Sequence, residues 1–295
     1  MLSIYYDYIV INKLNQPFIF NMQSYSILES LLFFNPIFLF GKEKLKRTIS
    51  GKTILLTGAS FGIGESLALL LADSGAELIL VARTEEKLLE LQSKIRQMGA
   101  KAEIFAADLT KDEDLDKLIS YLSSYPKDID VFVNNAGKSI RRSIFDSLDR
   151  YHDFQRTMAL NYFTPVKLLL YLIPKLEMTK GQIINVSAVN VLMIPAPKWA
   201  AYQASKTAFD QWMRSVAAEL RKRRISTSNV YLPLVRTGMI APTKAYEKMP
   251  AMKPAHVAKI IARLIAKRKG SYQPWWAIWG SLASVLFRKI WERFV

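Results

Sequence analysis

The chain has 295 residues, 51% hydrophobic and 22% charged, enough for one well-packed core with short appendages. It contains no cysteine and only two histidines, His152 and His256, which excludes disulfides, a thiolate nucleophile and a zinc constellation built on those ligands. Of the net charge of +16, residues 211–295 hold +14, a bias suited to an anionic membrane or a phosphorylated substrate. Nucleic acid is not expected, because no helix-turn-helix, zinc-finger or RNA-binding aromatic pattern accompanies the charge.

Residues 1–50 differ from the rest. The first twenty are rich in Tyr, Ile, Phe and Asn, without the basic start of a secretory signal, and Met22 is an alternative start. The apolar stretch Ile27 to Phe40 is broken by Glu29, Asn35 and Pro36 and is too short for the roughly 20 residues a membrane span needs. Two readings stay open: a segment lying in a membrane interface, ended by the basic run Lys42 to Arg47, or a helix covering the domain's own apolar surface.

From Lys52 the pattern alternates. Strands are expected at Thr53–Thr57, Glu77–Val81, Ala102–Ala106, Asp130–Asn134, Gln182–Ser187 and Ser226–Leu232. Helices are expected at Glu65–Ser74, Thr84–Met98, Lys111–Ser123 and Asp149–Met178, with one more carrying Tyr202 and Lys206. Such alternation implies a Rossmann-type doubly wound parallel sheet with helices on both faces. Six strands are evident and a seventh is not. The expected organisation is an appendage at 1–50, an α/β domain at 51–250 and a basic, Trp-rich helical segment at 251–295. In that last segment Trp275, Trp276, Trp279, Leu282, Leu286, Ile290 and Phe294 recur at helical spacing among Arg288, Lys289 and Arg293. This stripe suits a membrane interface, an oligomer contact or the core.

The chemistry is carried by a few short motifs. Gly58, Ser60, Phe61, Gly62, Ile63 and Gly64 form a glycine-rich turn between a strand and a helix, the context in which backbone approaches a pyrophosphate. Arg83 follows the second strand where an acidic residue would bind a ribose 2′-hydroxyl. An arginine can instead pair with a 2′-phosphate, so NADP(H) is expected rather than NAD(H). Asp108 and Leu109 follow the third strand, where a side chain can meet the adenine, and Asn135, Ala136 and Gly137 end the fourth. Tyr202 and Lys206, four residues apart on one helix face, form a pair in which the ammonium can lower the phenol's pKa for proton delivery to a carbonyl.

From about Gly51 to about Thr243 the chain resembles the short-chain dehydrogenase/reductase family, on TGxxxGxG at 57–64, NNAG at 134–137, Asn161, Ser187, YxxxK at 202–206 and Pro233 to Thr237. The resemblance implies that Tyr202 protonates the carbonyl and that Lys206 holds the ribose and lowers the phenol's pKa. It implies also that Asn161 orders a relay water, Ser187 binds the oxyanion, and Pro233, Val235 and Thr237 close over the nicotinamide. One departure stands out: aligning the strand puts Ala188 at the usual serine position, so Ser187 serves only with a local backbone shift; otherwise Asn190 or a backbone donor must support the oxyanion, or activity is reduced. Thr164 replaces a common glycine.

A narrower resemblance runs through Ser139 to Arg142, Tyr151 to Phe163, Gly181 to Ser187 and Leu232 to Lys244, and is to bacterial fatty acyl-CoA reductases. It implies NADPH-dependent reduction of a lipid-like carbonyl, an acyl-CoA thioester, to an aldehyde, and the wider family resemblance implies a homo-oligomer. The lack of cysteine and the two histidines leave no metal expected, and a cytoplasmic location with peripheral membrane contact through the N- and C-terminal segments is expected. The alternatives are an NADPH-dependent ketone or 3-oxoacyl reductase with the same active site, and a non-catalytic NADP(H)-binding protein.

Overall fold

The computed structural model describes residues 25–33, 41–241 and 243–294. Six strands, β1 (Thr53–Thr57), β2 (Glu77–Ala82), β3 (Ala102–Ala106), β4 (Val131–Asn134), β5 (Gln182–Ala188) and β6 (Ser226–Leu232), form one sheet in the order β3-β2-β1-β4-β5-β6. Every neighbouring pair is parallel; Leu55 of β1 lies opposite Ile79 of β2 and Phe132 of β4. The helices are α1 (Ile27–Phe33), α2 (Lys42–Ile49), α3 (Gly62–Ala72), α4 (Glu85–Gln97), α5 (Asp112–Ser124), α6 (Tyr151–Met158), α7 (Thr164–Met178) and α8 (Ala200–Lys222). After β6 come α9 (Pro254–Lys267), α10 (Trp275–Leu286) and α11 (Arg288–Phe294).

The strands read as nearly continuous apolar runs because helices cover both faces. Alternate residues separate into two cores. Ile54, Leu56, Leu78, Leu80, Val133 and Val186 join α2, α3, α4 and α9 on one side. Leu55, Ile79, Val81, Phe132 and Ile183 meet α5, α7 and α8 on the other. Each fully buried Leu or Ile contributes about 1.5–3 kcal/mol, so the period-2 register of the central strands is strongly fixed.

The missing seventh strand survives as a single residue. Tyr272 N–H donates to Asn229 O at 2.9 Å and its carbonyl accepts Tyr231 N–H at 2.8 Å, a parallel bridge beside β6 just after α9. The helical stretch expected at about Asp149–Met178 is two helices, α6 and α7, joined by a turn. Ala159–Phe163 forms a π-helical turn closed by Thr164 N–H on Ala159 O, and Pro165 has no N–H to offer Asn161 O.

Much of what the sequence presents as appendage is packed into the domain. Phe33, Leu45 and Ile49 are buried with α9, whose own inner face is core. Residues 1–24 and 34–40 lie outside the described residues, so the expectations for the first twenty residues and for the end of the Ile27 to Phe40 stretch are not addressed. By contrast α10 exposes Trp275, Ile278, Trp279, Leu282, Val285 and Leu286. Among the described residues no helix is long and apolar enough to cross a membrane.

Candidate active site

The order in which successive strands are added to the sheet reverses between β1 and β4, which sit side by side and parallel, and a crevice opens beyond their carboxyl ends. The glycine turn enters it first. Gly58 has φ +67°, and a Cβ there would meet Ala136 Cα at 2.9 Å; at Gly64 a Cβ would lie 2.0 Å from Gly58 O. Both glycines let α3 start tight against the turn, with its free N–H groups toward the crevice. Thr57 and Asn135 join this turn to the fourth strand. Thr57 Oγ1 accepts the N–H groups of Asn135 and Ala136, each at 3.2 Å. Asn135 Nδ2 donates to Thr57 O at 3.1 Å and Gly58 O at 2.9 Å. The Asn135 amide is thus spent on shaping the turn, while its residue still lines the crevice wall.

A cavity of about 380 Å³ occupies this crevice. Gly58, Phe61, Ile63, Asn135, Ala136 and Gly137 line one side, and Ser187, Tyr202, Lys206, Pro233, Val235 and Thr237 line the other. Twelve expected residues therefore converge on one space. Ser60, Gly62 and Gly64 lie in the turn behind that wall. Arg83, exposed after β2, and Asp108, after β3, lie farther along the same sheet edge. Burial would raise the Asp108 carboxyl, but Thr110 N–H and Oγ1 (2.7 Å), with the Arg83 charge, outweigh it and hold it below its ordinary value. Leu109 departs from expectation: its side chain is core, and its carbonyl accepts the Thr164 hydroxyl, which explains the threonine in place of glycine.

Asn161 sits in the π-helical turn, which aims its amide away from the regular helical ladder. Its Oδ1 accepts Lys138 N–H at 2.9 Å, and its Nδ2 donates to Lys138 O and Ser205 Oγ, each at 2.9 Å. The residue after Gly137 is thereby fixed from both sides, and Gly137 itself lies against Lys206 Nζ and Asn161 Oδ1. Farther along the same segment, Arg142, Arg150 and Arg156 pair with buried Asp153 of α6. Burial opposes ionisation there, but the three guanidiniums hold the Asp153 carboxyl well below the usual carboxylate range.

Tyr202 and Lys206 share one face of α8, as their spacing predicts. Lys206 is buried and donates from Nζ to Val186 O at 3.1 Å. Their titration differs from the expectation of a lowered phenol. Burial, with the Tyr246 phenol nearby, pushes Tyr202 up to about 12, and burial draws Lys206 down to about 8. Desolvation disfavours both charged forms in this protein-only environment, so the phenol is held as the neutral acid. Ser187, next to last in β5, lies on the sheet face toward α8; its hydroxyl is buried, has no hydrogen-bond partner and borders the cavity. Asn190, in the 3₁₀ turn that follows, also borders it with an unpartnered Oδ1.

Sequence reasoning missed the opposite wall. Trp199 packs on Tyr202 (5.4 Å between rings) and stacks on Tyr246 (6.1 Å), and Met239, Ile240 and Met249 complete an apolar side. No short motif announces these residues. The signal was only that residues 238–249, following the Pro233 to Thr237 segment, keep apolar and aromatic side chains in a loop.

A family model described as short chain dehydrogenase matches residues 52–248. A fatty acyl-CoA reductase of Acinetobacter baylyi is 46% identical over 224 residues, 76% of each chain. A fatty acyl-CoA reductase of Mycobacterium tuberculosis is 40% identical over 212 residues, 72% of each chain. Among solved structures, a metagenomic short-chain oxidoreductase in complex with NADP superposes with a TM-score of 0.64 at 30% identity, covering 74% of this chain and 92% of that one.

Proposed function

Since this chain belongs to the short-chain dehydrogenase family, we propose that it is an NADPH-dependent reductase of long-chain acyl-CoA thioesters, releasing a fatty aldehyde and free CoA. The observation that carries this reading is the two-sided cavity: a glycine turn and helix N-terminus face an apolar, aromatic wall across Ser187, Tyr202 and Lys206. The residues present fit the dinucleotide. The turn has no Cβ where backbone must approach a pyrophosphate, and Arg83 stands exposed where a 2′-phosphate would need a cation. When bound, the cofactor supplies the hydride.

The chain's own residues do the rest. Tyr202, neutral at physiological pH, delivers a proton to the carbonyl oxygen. Ser187 donates its unpartnered hydroxyl to the oxygen as negative charge develops there. Lys206, drawn down to about 8, carries a proton that is readily exchanged near neutrality and restores the phenol. With a thioester the tetrahedral product is a hemithioacetal; its C–S bond breaks, the thiol takes the hydroxyl proton, and the aldehyde remains. No enzyme cysteine is needed, and the chain has none. Trp199, Tyr246 and Met249 exclude water and hold the first carbons of the chain.

The similarity to two fatty acyl-CoA reductases supports the thioester over the ketone reading. NADPH oxidation with palmitoyl-CoA, set against a 3-oxoacyl-CoA and a simple ketone, tests it. Aldehyde and free thiol in equal amounts are expected from palmitoyl-CoA; turnover of the 3-oxo substrate alone overturns the thioester assignment, and NADPH binding without any turnover overturns catalysis.

The same reading assigns the face shared by α1 and α10 to an anionic bilayer surface. Trp275 and Trp276 donate their indole N–H groups to Leu31 O (3.0 Å) and Leu32 O (3.2 Å), joining the two helices. Ile27, Leu28, Leu31, Trp275 and Trp279 are exposed on these helices, and the next helix in the chain, α11, exposes Lys289 and Arg293. Apolar and indole groups flanked by cations match an interface of anionic headgroups. Flotation with phosphatidylglycerol vesicles but not phosphatidylcholine vesicles is expected. Absence of flotation, or a dimer dispersed by Trp279→Glu, contradicts it.

A further inference from the structure

The segment bearing Val235 and Thr237 is not held by the Rossmann core alone. It leaves β6, forms the loop of residues 237–250 with its cavity-facing Met239, Ile240, Thr243, Tyr246 and Met249, and returns beside itself at Met252. Arg236 N–H donates to Met252 O (2.9 Å) and Met252 N–H donates to Leu234 O (2.8 Å), closing the base of the loop. Thr237 reaches the glycine turn, since a Cβ at Gly62 would meet Thr237 Cγ2 at 2.9 Å.

One buried side chain from far away joins both strands of that base. Glu29 of α1, 5% exposed, accepts the guanidinium of Arg236 and the Ala251 N–H (3.2 Å) on one carboxylate oxygen. Its other oxygen accepts Ser26 N–H (3.1 Å) and Ser26 Oγ–H (3.2 Å), while Glu29 N–H returns a bond to Ser26 Oγ, a capping box that fixes the carboxylate's direction. Tyr25, just before α1, repeats the attachment one step along. Its hydroxyl accepts Lys253 N–H at 2.7 Å and lies 3.3 Å from His256 Nδ1, and its ring lies under Lys253 Nζ. A surface helix with no role in the site would not need its carboxylate buried against a loop hinge. A buried carboxylate with four partners holds them in one geometry because leaving any of them unpaired is costly.

We propose that Tyr25 to Phe33 is a strap, with Glu29 as a positioning residue that fixes Arg236, and through it Val235 and Thr237, over the nicotinamide end of the NADP(H) site. This rests on the cofactor reading above. The strap explains how the loop base keeps its register although, among the described residues of 238–250, the one regular element is the short 3₁₀ turn Lys244–Tyr246. It makes the N-terminal segment part of the active site, although the sequence presents it as an appendage.

The test measures NADPH binding by fluorescence, with no substrate present, on the full chain and on Glu29→Ala, Glu29→Gln and Arg236→Lys. For Glu29→Ala the dissociation constant rises about tenfold, equivalent to about 1.4 kcal/mol. Glu29→Gln, which can still accept from Ser26 and Ala251, falls between it and the unaltered chain. Arg236→Lys, which keeps the charge within reach of Glu29, stays within about threefold. In steady state KM for NADPH rises while kcat at saturation holds, a split that loss of folded protein alone does not produce. If Glu29→Ala does not fold, the Gln and Lys variants decide the matter. Folded Gln and Ala variants that bind NADPH as tightly as the unaltered chain overturn the strap. An unaltered chain that fails to bind NADPH overturns the cofactor reading instead.

Discussion

Replacement of Gly64 by alanine tests whether the glycine turn is shaped for a ligand or merely for a bend. The added methyl would sit 2.0 Å from Gly58 O and 2.8 Å from Ala59 Cα, both backbone atoms, so no side chain can swing aside. The turn cannot retreat, because a Cβ at Gly58 already would press on Ala136 Cα at 2.9 Å and the Asn135 amide holds both Thr57 O and Gly58 O. The N-terminus of α3 must therefore move outward by about 1 Å or more to restore a normal carbon–oxygen contact. Overpacking of this kind costs about 1–3 kcal/mol in stability. It also carries the free N–H groups of α3 away from where a pyrophosphate would lie, and NADPH affinity falls at least about tenfold. Gly99→Ala is the control: its φ is +77° with nothing within 4 Å, so it loses about 1 kcal/mol to backbone strain and leaves NADPH binding alone. Urea unfolding and NADPH titration on both variants decide it. A Gly64→Ala protein that binds NADPH like the unaltered chain and is no less stable than Gly99→Ala refutes the reasoning.

Arg83→Ala should weaken NADPH binding about 10–100-fold, the worth of one charge-assisted contact, and leave NADH almost unchanged; equal losses for both would remove Arg83 from the 2′-phosphate. Ser187→Ala should lower kcat about 10²–10³-fold without altering the NADPH dissociation constant, with Asn190→Ala much milder; the reverse order would make Asn190 the oxyanion donor. Acid stability should depend on His256, which burial and the Lys259 charge lower from 6.5 to about 4. The unfolded chain takes up that proton first, so this contribution is whole above about pH 6.5 and is lost as pH falls toward about 4. After allowance for partial exposure the loss is about 2 kcal/mol. Urea midpoints for His256→Gln should show a flatter slope across that window, and an unchanged slope would contradict the assignment.

The sheet was legible because each strand is a short apolar run bounded by turn residues and each amphipathic helix has its own period. Local patterns of that kind do not depend on distant partners. The site was legible where one motif supplies a whole function, as at Gly58 to Gly64 or Tyr202 and Lys206. What was hidden depends on separation in sequence. Glu29 and Arg236 are 207 residues apart, and nothing near either announces the other. Tyr272 makes a single bridge, too short to leave a strand pattern. The π-helical turn at Asn161 needs a missing N–H at Pro165, which a hydrophobic period does not register. Tyr202 was expected to have a lowered pKa on charge proximity alone; burial of both partners decides the direction in the folded chain, and it is upward.

The central claim is that the Tyr202 phenol supplies the proton that completes carbonyl reduction. Rapid mixing of NADPH-saturated Tyr202→Phe enzyme with palmitoyl-CoA, following loss of nicotinamide absorbance in a single turnover, tests it most directly. The account predicts a rate about 10²–10⁴-fold below that of the unaltered chain with NADPH affinity preserved. A single-turnover rate equal to that of the unaltered chain would contradict it.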